Sequence, residues 1–400
     1  MNAANAADSH VSVAIVGGGA VGLAAALELA QAGIPVALLG ATDQPHDDGR
    51  TAALMQPSVA LLERLGVLEA LRPKSWPLAA IRLIDVTGAL LRAPTVTFRA
   101  AEIDLPYFAL NFSNADIVRA LTAALRKTPG ARVETARVTA ATPGEDHTTL
   151  TLDDGRTLTA ALVIAADGQK SRLRDAAGIG VRSWSYDQVA LTFHVTHTKD
   201  HEDISTEFHT RAGPLTYVPY GDFTSSLVWL VTRAEAARLT ALPPQQVALA
   251  CQRASSSLLG DLTIRGGVGA VPMGGLIARS ATAPRLALVG EALHAFPPVG
   301  AQGMNLGFRD AENITHAAIK AARAGEDSGG DEVLAAYQRG RQVDAVSRTY
   351  GVDMLNRSLI SGILPLDLLR VAGLSAAAHL GPLRRVLMRA GMGQSPFAAE

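Results

Sequence analysis

The sequence predicts an α/β fold, α+β overall: a parallel sheet packed by helices, a second and largely antiparallel sheet inserted into it, and a helical C-terminal region. Three observations carry this. The apolar run Val11–Val16 leads straight into glycines, followed by a helix-period stretch, Leu23–Gln31, closed by Gly33, and a second apolar run, Pro35–Leu39. Strand, glycine turn, helix and strand make a βαβ unit, whose strands lie parallel in a buried sheet. The runs Ala161–Ala166 and Leu286–Gly290 have the same buried-strand character. Between these two the texture changes: Val189–Val195, Leu215–Val218 and Ser226–Val231 alternate or cluster as sheet, with Gly213-Pro214 and Gly221-Asp222 expected as turns. The stretch Ile81–Leu91 is a candidate further strand of that inserted sheet, and Ser58–Leu65 and Ala115–Leu125 read as amphipathic helices. From Asp310 onward the pattern is helical to the end, broken by the Gly/Asp-rich loop Gly325–Asp331.

The bulk composition limits what such a chain can do. Four hundred residues imply two domains or one with large insertions. A hydrophobic fraction of 48% with 18% charged residues describes an ordered globular chain. The net charge of −1, from 36 basic and 37 acidic residues, gives no electrostatic reason to expect nucleic acid as a partner. The single cysteine, Cys251, excludes an internal disulfide and any multi-cysteine metal site, and it fits a reducing, cytoplasmic compartment. It is expected to be a buried small hydrophobe, and no metal site is expected. The first ten residues lack the basic and apolar regions of a signal peptide and are expected to form a short disordered leader. No window approaches the roughly 20 uninterrupted apolar residues that cross a bilayer.

Three motifs carry chemistry. The first, Gly17-Gly18-Gly19-Ala20-Val21-Gly22, lies between predicted strand and helix, the context that makes a GxGxxG informative. Gly17 allows the tight turn, Gly19 lets a pyrophosphate approach the backbone, and Gly22 lets helix pack on strand, so a Rossmann-like dinucleotide site is expected. The helix start offers free amides and a positive dipole end to phosphate. One element is missing: the second strand of such folds ends in an acid that grips ribose hydroxyls, whereas here Gly40 follows Leu39. Backbone groups or Asp43 in the next loop are the two candidates to compensate. The second motif, Ala166-Asp167-Gly168-Gln169-Lys170-Ser171-Arg172, follows a buried strand and makes a sharp turn. Lys170, Arg172 and Arg174 then give it either a ligand-facing or a merely solvated basic helix start. The third runs from Gly290-Glu291 through His294, Pro297-Pro298 and Gly300 to Gln302-Gly303-Met304-Asn305. Its prolines stiffen a loop, its glycines leave room for a flat ligand, and the helix starting at Gly303 aims amides at an electron-rich ring edge.

These motifs, in this order, resemble those of the FAD-dependent aromatic hydroxylases of the para-hydroxybenzoate hydroxylase fold. Within that family the chain is most similar to the ubiquinone-biosynthesis hydroxylases, on Asp48-Gly49-Arg50-Thr51-Ala52-Ala53-Leu54, Gly213-Pro214-Leu215 with Leu227-Val228-Trp229, Tyr337-Gln338-Arg339-Gly340-Arg341 and Arg389-Ala390-Gly391-Met392-Gly393. The resemblance covers nearly the whole chain. It implies an FAD-binding domain from residues 11–75, 105–180 and 280–330, a substrate domain from 76–104 and 181–279, and C-terminal helices over 331–400, after a leader at 1–10. It implies that Gly17, Gly19, Ala20 and Gly22 hold the pyrophosphate, with Arg50 reaching it from the far side. Asn114, opening the helix that carries Arg119, would contact the ribityl region. Asp167 and Gly168 would serve both FAD and the nicotinamide donor. Gly290 and Glu291 stand at the family's ribityl-binding aspartate, and Pro298, Gly300, Gln302, Gly303, Met304 and Asn305 would line the isoalloxazine. Glu291 for Asp, Gly40 for an acid, and Gly300-Ala301 for Ala-Gly depart from the family pattern.

The implied activity is a monooxygenase reaction with molecular oxygen, in which a C4a-hydroperoxyflavin hydroxylates an aromatic ring, with NAD(P)H or a protein electron donor as reductant. Such chemistry belongs to the cofactor and commits no side chain to acid–base work. His294 is a weak candidate base, against a structural histidine braced on Pro297-Pro298. Tyr217 and Tyr220 are weak candidates to face substrate, against ordinary core or surface tyrosines. The tail from Met354 to Met392 carries Arg357, Arg370, Arg384, Arg385 and Arg389 against one acid, Asp367. Two readings stand for it: helices packed on the core, or a basic amphipathic end that rests on the inner face of an anionic membrane and admits a prenylated phenol. The alternatives to a polyprenylated substrate are a small soluble phenol, another flavin oxidoreductase reaction, or a flavin-binding assembly factor without turnover.

Overall fold

The computed structural model describes residues 9–40, 49–88, 93–295, 302–341 and 381–391. Strand Ser9–Val16 forms the centre of a sheet, parallel to Val36–Leu39 on one side and Thr157–Ala165 on the other. Ala131–Glu134 and Leu286–Leu288 extend the two sides, again in parallel. Val13, Ala14 and Ile15 are wholly buried, which is why this strand reads as an unbroken apolar run and not as an alternation. Helix Ala20–Gln31 packs between helices Asn114–Leu125 and Gln302–Ala324, and nine of its 12 residues are buried, as its Ala/Leu composition demands. A hairpin of Val138–Pro143 and Thr148–Leu152 joins the sheet antiparallel to Thr157–Ala165. Ser9 and His10 pair with Leu158 and Thr159, so the expected ten-residue leader overlaps the first strand; residues 1–8 lie outside the described residues.

A second sheet of eight strands runs in the order His294–Ala295, Leu262–Ala278, Val181–His197, Thr224–Thr232, Gly213–Gly221, Ile204–Thr210, Ala80–Asp85 and Val96–Arg99. It is antiparallel except where Ile204–Thr210 meets Ala80–Asp85, the strand expected within 81–91. Gly213-Pro214 is not the turn the sequence suggested: both residues open a strand and pair with Thr210 and His209. The turn sits at Arg211-Ala212, shaped by the Thr210 hydroxyl, which accepts from Ala212 N (3.2 Å) and donates to Gly213 O (2.7 Å). Likewise Gly221 ends its strand, and Asp222-Phe223 turn the chain.

The two faces of this sheet have different fates. On one, Leu191, Phe193, Leu215, Tyr217 and Leu227 are buried with Val247 and Cys251 of helix Pro244–Ala254. Each such fully buried Leu or Phe contributes about 1.5–3 kcal/mol relative to exposure. Burial also pushes the Cys251 thiol up to about 12, so it is an inert core residue. On the other face, Val218 packs with Ala53, Leu78 and Ala109 of a small sheet in the order Thr51–Met55, Ala109–Ser113, Trp76–Leu78. That small sheet joins the two large ones.

Of the C-terminal region, a helix over 331–341 and helix Gly381–Gly391 fall within the described residues. Arg384 of the latter pairs with Glu102 (2.5 and 2.7 Å), donates to Thr97 O, and lies 4.7 Å over the Phe98 ring. The Arg384 guanidinium holds the Glu102 carboxyl below its ordinary range. The helix thereby covers edge strand Val96–Arg99, which would otherwise be open to pairing with another chain. Among the described residues no helix is long and apolar enough to cross a membrane.

Candidate dinucleotide site

The parallel strands end in register, and their ends are stitched together. Gly40 N donates to Glu134 O (2.9 Å), Gly17 N to Leu39 O (2.8 Å), Ala166 N to Val16 O (2.8 Å) and Val289 N to Ala165 O (3.0 Å). The three glycine-bearing motifs therefore emerge side by side at the C-terminal edge of one sheet, where ligands of open α/β sheets bind. They also touch. A Cβ on Gly17 would stand 2.1 Å from Ala166 O, so the first turn lies directly on the second, and only glycine permits it. Val21 of the first helix meets Gly307 of helix Gln302–Ala324, whose built Cβ would lie 2.7 Å from Val21 Cγ2 and 3.4 Å from Gly290 Cα.

Gly40 is explained by the same crowding. Its φ is +152°, and a Cβ there would lie 2.7 Å from Gly18 N. The second strand ends so close to the glycine turn that no acidic side chain fits on this backbone. Asp43, the other candidate to grip ribose, lies outside the described residues.

The Asp167-Gly168 turn is braced from below. Asp167 Oδ2 accepts from Arg172 N (2.9 Å) and Leu173 N (3.4 Å), and Ser171 Oγ caps the helix through Arg174 N (3.1 Å). Arg174 is not part of a solvated basic helix start: it is buried, donating to Ala292 O (3.1 Å) and Gln169 O (3.0 Å) and pairing with Asp175. It locks the second motif to the turn Gly290–Ala292, on which Glu291 is exposed. Arg50 ends up exposed at the start of strand Thr51–Met55, with its carbonyl accepting from Asn114 N (3.0 Å). Met304 is half-buried and Gly303 exposed at the start of the long helix; Pro298 and Gly300 lie outside the described residues. Asn305 is buried and works first as a brace: its Nδ2 donates to Ala53 O (2.9 Å) and its Oδ1 accepts from Met55 N (2.8 Å).

Tyr217 and His294, the two side chains weighed as catalytic candidates, both sit in structural surroundings. Tyr217 is 1% exposed on the helix-covered face, its hydroxyl bonded to Ser255 (2.9 Å) and Cys251 (3.1 Å); Tyr220, three residues on, takes the other face. Burial raises the Tyr217 phenol well above its ordinary value, so it stays a core residue. His294 is braced by Asp310: its Nε2 lies 2.7 Å from Asp310 Oδ2, which also accepts from Gly290 N (2.9 Å), while Pro297-Pro298, the brace the sequence suggested, lie outside the described residues. Arg341 Nε lies 2.7 Å from the other oxygen, Asp310 Oδ1, and all three side chains are at most 1% exposed. This buried cluster, missed in the sequence, ties the third motif to the C-terminal helices. Its signal was present: Asp310 stands four residues from both Leu306 and Ile314, a charge on the apolar stripe of a helix. Glu28, Glu312 and His316 bring ligand atoms within 4.8 Å of one another, but they are satisfied as an ion-pair cluster with Thr315 and Arg64.

The arrangement fits FAD on its own features. Gly19 opens the first helix without a side-chain cap, and a Cβ there would meet nothing within 4 Å, leaving amides and space for a pyrophosphate. Among the described residues, Asn114 Oδ1 and Asp167 Oδ1 are buried acceptors without a donor, and the ribityl and ribose hydroxyls of a dinucleotide are donors. Fold and site together define a dinucleotide-binding flavoprotein that carries a second, inserted sheet. Residues 10–348 match the family model described as an FAD binding domain. The chain is 33% identical to ubiquinone hydroxylase UbiL of Rhodospirillum rubrum over 98% of this chain and 92% of that one. It is also 33% identical to 3-demethoxyubiquinol 3-hydroxylase of Escherichia coli, over 95% of this chain and 98% of the other. Among solved structures, p-nitrophenol 4-monooxygenase PnpA from Pseudomonas putida shares the fold with a TM-score of 0.80 at 21% identity, covering 96% and 99% of the two chains. The chain belongs to this family of FAD-dependent monooxygenases, in the group that holds the ubiquinone hydroxylases.

Proposed function

We propose that the chain hydroxylates the aromatic ring of a polyprenylated phenol in ubiquinone biosynthesis, using FAD, molecular oxygen and NAD(P)H. The observation that carries this is the reach of the likeness: it runs through the inserted sheet as well as the dinucleotide motifs, covering 98% of the chain against a ubiquinone hydroxylase. When bound, FAD supplies oxygen activation and transfer of one oxygen atom to the ring. The rest falls to this chain's residues. The amides at Gly19 and Ala20 and the Arg50 guanidinium bind the pyrophosphate from opposite sides, with Gly17 and Gly22 shaping the turn. Asn114 and Asp167 accept its sugar hydroxyls through their orphaned oxygens, with Gly168 turning the chain beside Asp167. Glu291, beside Gly290, meets the ribityl chain, and Pro298, Gly300, Gln302, Gly303, Met304 and Asn305 line the ring system. The apolar layer of Ala53, Leu78, Ala109 and Val218 excludes water between the small sheet and the large one. Neither His294 nor Tyr217 takes a catalytic part.

The basic tail over 354–392 is proposed to rest on the inner face of an anionic membrane, where a prenylated substrate resides. Within helix Gly381–Gly391, Arg385, Val386 and Arg389 are exposed while Arg384 and Met388 face the protein, a division that suits both core packing and a lipid surface.

The test is oxygen uptake by FAD-loaded protein with NADPH or NADH, with product identification by mass spectrometry. Uptake coupled to a ring-hydroxylated prenylated phenol is expected. Hydroxylation of small phenols alone would overturn the substrate assignment, and flavin retention without uptake would make the chain a binding factor. Co-sedimentation with anionic vesicles is expected, and protein left in the supernatant would remove the membrane contact.

A further inference from the structure

We infer that His194 of the inserted sheet is a positioning residue for the dinucleotide, acting through Arg50. This rests on the proposed contact between Arg50 and the pyrophosphate. His194 lies in strand Val181–His197 on the face turned away from the helices, with its Nε2 2.7 Å from Gly49 O. A carbonyl only accepts, so Nε2 carries the proton and donates it. The ring is held in place by Tyr220, at a centroid distance of 4.6 Å and a tilt of 56°.

The residue paired with His194 across the sheet is Ser226, and its hydroxyl accepts from Thr51 Oγ1 at 3.0 Å. One cross-strand pair therefore grips the residues on both sides of Arg50, across sequence separations of 145 and 175 residues. A further hold on this tripeptide is Asn114 N on Arg50 O, 3.0 Å. With the backbone fixed from both flanks, the exposed Arg50 side chain has less freedom to lose when it closes on an anion, and that saving appears as affinity. The bond to Gly49 O ties His194 to the 49–51 segment, and its effect on FAD is expected to pass through that segment.

The experiment titrates apo-protein with FAD, followed by flavin fluorescence, for wild type, His194→Phe, His194→Gln, Arg50→Ala and the double variant His194→Phe/Arg50→Ala. Phe keeps the ring against Tyr220 and removes the donor; Gln keeps an N–H at similar reach. His194→Phe is expected to weaken FAD binding about tenfold, the loss expected for removing one partner of a part-buried hydrogen bond, and His194→Gln less than about threefold. In the Arg50→Ala background the His194→Phe effect should vanish, which general damage to the sheet would not produce. Equal losses in both backgrounds, or wild-type affinity in His194→Phe while Arg50→Ala is weak, would overturn the inference. Wild-type affinity in Arg50→Ala would instead remove the underlying role of Arg50, and the inference with it. Should His194→Phe not fold, Ser226→Ala removes the other half of the grip and is expected to show the same dependence on Arg50; an equal loss in the Arg50→Ala background would again overturn the inference.

Discussion

Replacing Gly40 with glutamate would install the acid that dinucleotide-binding strands usually carry at this place, and it is expected to weaken FAD binding. The reasons are geometric. A Cβ at position 40 falls 2.7 Å from Gly18 N and 3.3 Å from Gly17 C, where ordinary contacts begin at 3.4 Å, so the glycine turn must move by about 0.7 Å. It is poorly able to do so, because Gly17 N is bonded to Leu39 O at 2.8 Å and Gly17 lies against Ala166 O. A side chain at φ +152° adds backbone strain of about 1–3 kcal/mol. Displacing the amides proposed to face the pyrophosphate would lose at least one charge-assisted hydrogen bond, about 1.5–3 kcal/mol, and a carboxylate-to-ribose bond would return about the same amount. The free protein can relieve part of the strain by shifting the turn, and binding FAD, which needs the turn in place, reimposes that part. FAD binding should therefore weaken about 10- to 100-fold, at roughly 1.4 kcal/mol per decade. Flavin-fluorescence titration measures this, with a thermal melt of the apo-protein reporting the strain separately. A variant that binds FAD as tightly as wild type, or more tightly, would refute the argument that the turn excludes a side chain.

Asp310→Ala should cost about 3–5 kcal/mol in urea unfolding, because it strips a buried arginine, Arg341, of its counter-charge and releases Gly290 N and His294; a loss under about 1 kcal/mol would show the cluster to be incidental. The His197 imidazole is held below its ordinary value of 6.5 chiefly by burial, with the neighbouring His201 adding to the shift. Its unfolded state binds a proton that the folded state refuses, so its contribution to stability is complete above about pH 6.5 and is lost as pH falls from there toward the folded value. His197→Asn should flatten the fall in unfolding free energy between about pH 7 and 5; parallel wild-type and variant curves would contradict this.

What the sequence disclosed was governed by burial on both faces. Val11–Val16 and Ala161–Ala166 are covered above and below, so their character shows in any window, and the turns that follow them inherit a fixed position. The inserted sheet was legible as sheet, but the assignment of its faces was not. Alternation separates Tyr217 from Tyr220 without saying which side receives helix Pro244–Ala254 and which faces the small sheet. The same limit concealed His194, whose partner is a carbonyl 145 residues distant, and Arg174, whose basic neighbours suggested solvent while its own guanidinium is buried on two carbonyls. Gly213-Pro214 misled for a local reason: a glycine-proline pair resembles a turn wherever it stands, and here the hydroxyl of Thr210 had already made the turn two residues earlier.

Strand Thr51–Met55 is where the two halves of the proposed chemistry become mechanically one. Helix Gln302–Ala324 grips it through both ends of the Asn305 amide. The inserted sheet grips its start through Ser226 and, one residue earlier than Arg50, through His194. Its partner strand Ala109–Ser113 is tied to the same sheet by Asn111, which donates from Nδ2 to Pro219 O at 2.9 Å. Each of these bonds stabilises by only about 0.5–1.5 kcal/mol on its own. Sliding the inserted sheet relative to the dinucleotide motifs would break the His194, Ser226 and Asn111 contacts together and leave buried polar atoms without partners, a cost several times larger. A ring bound against that sheet is therefore held in a fixed relation to the cofactor's cradle by five residues of strand, with no acid–base residue required.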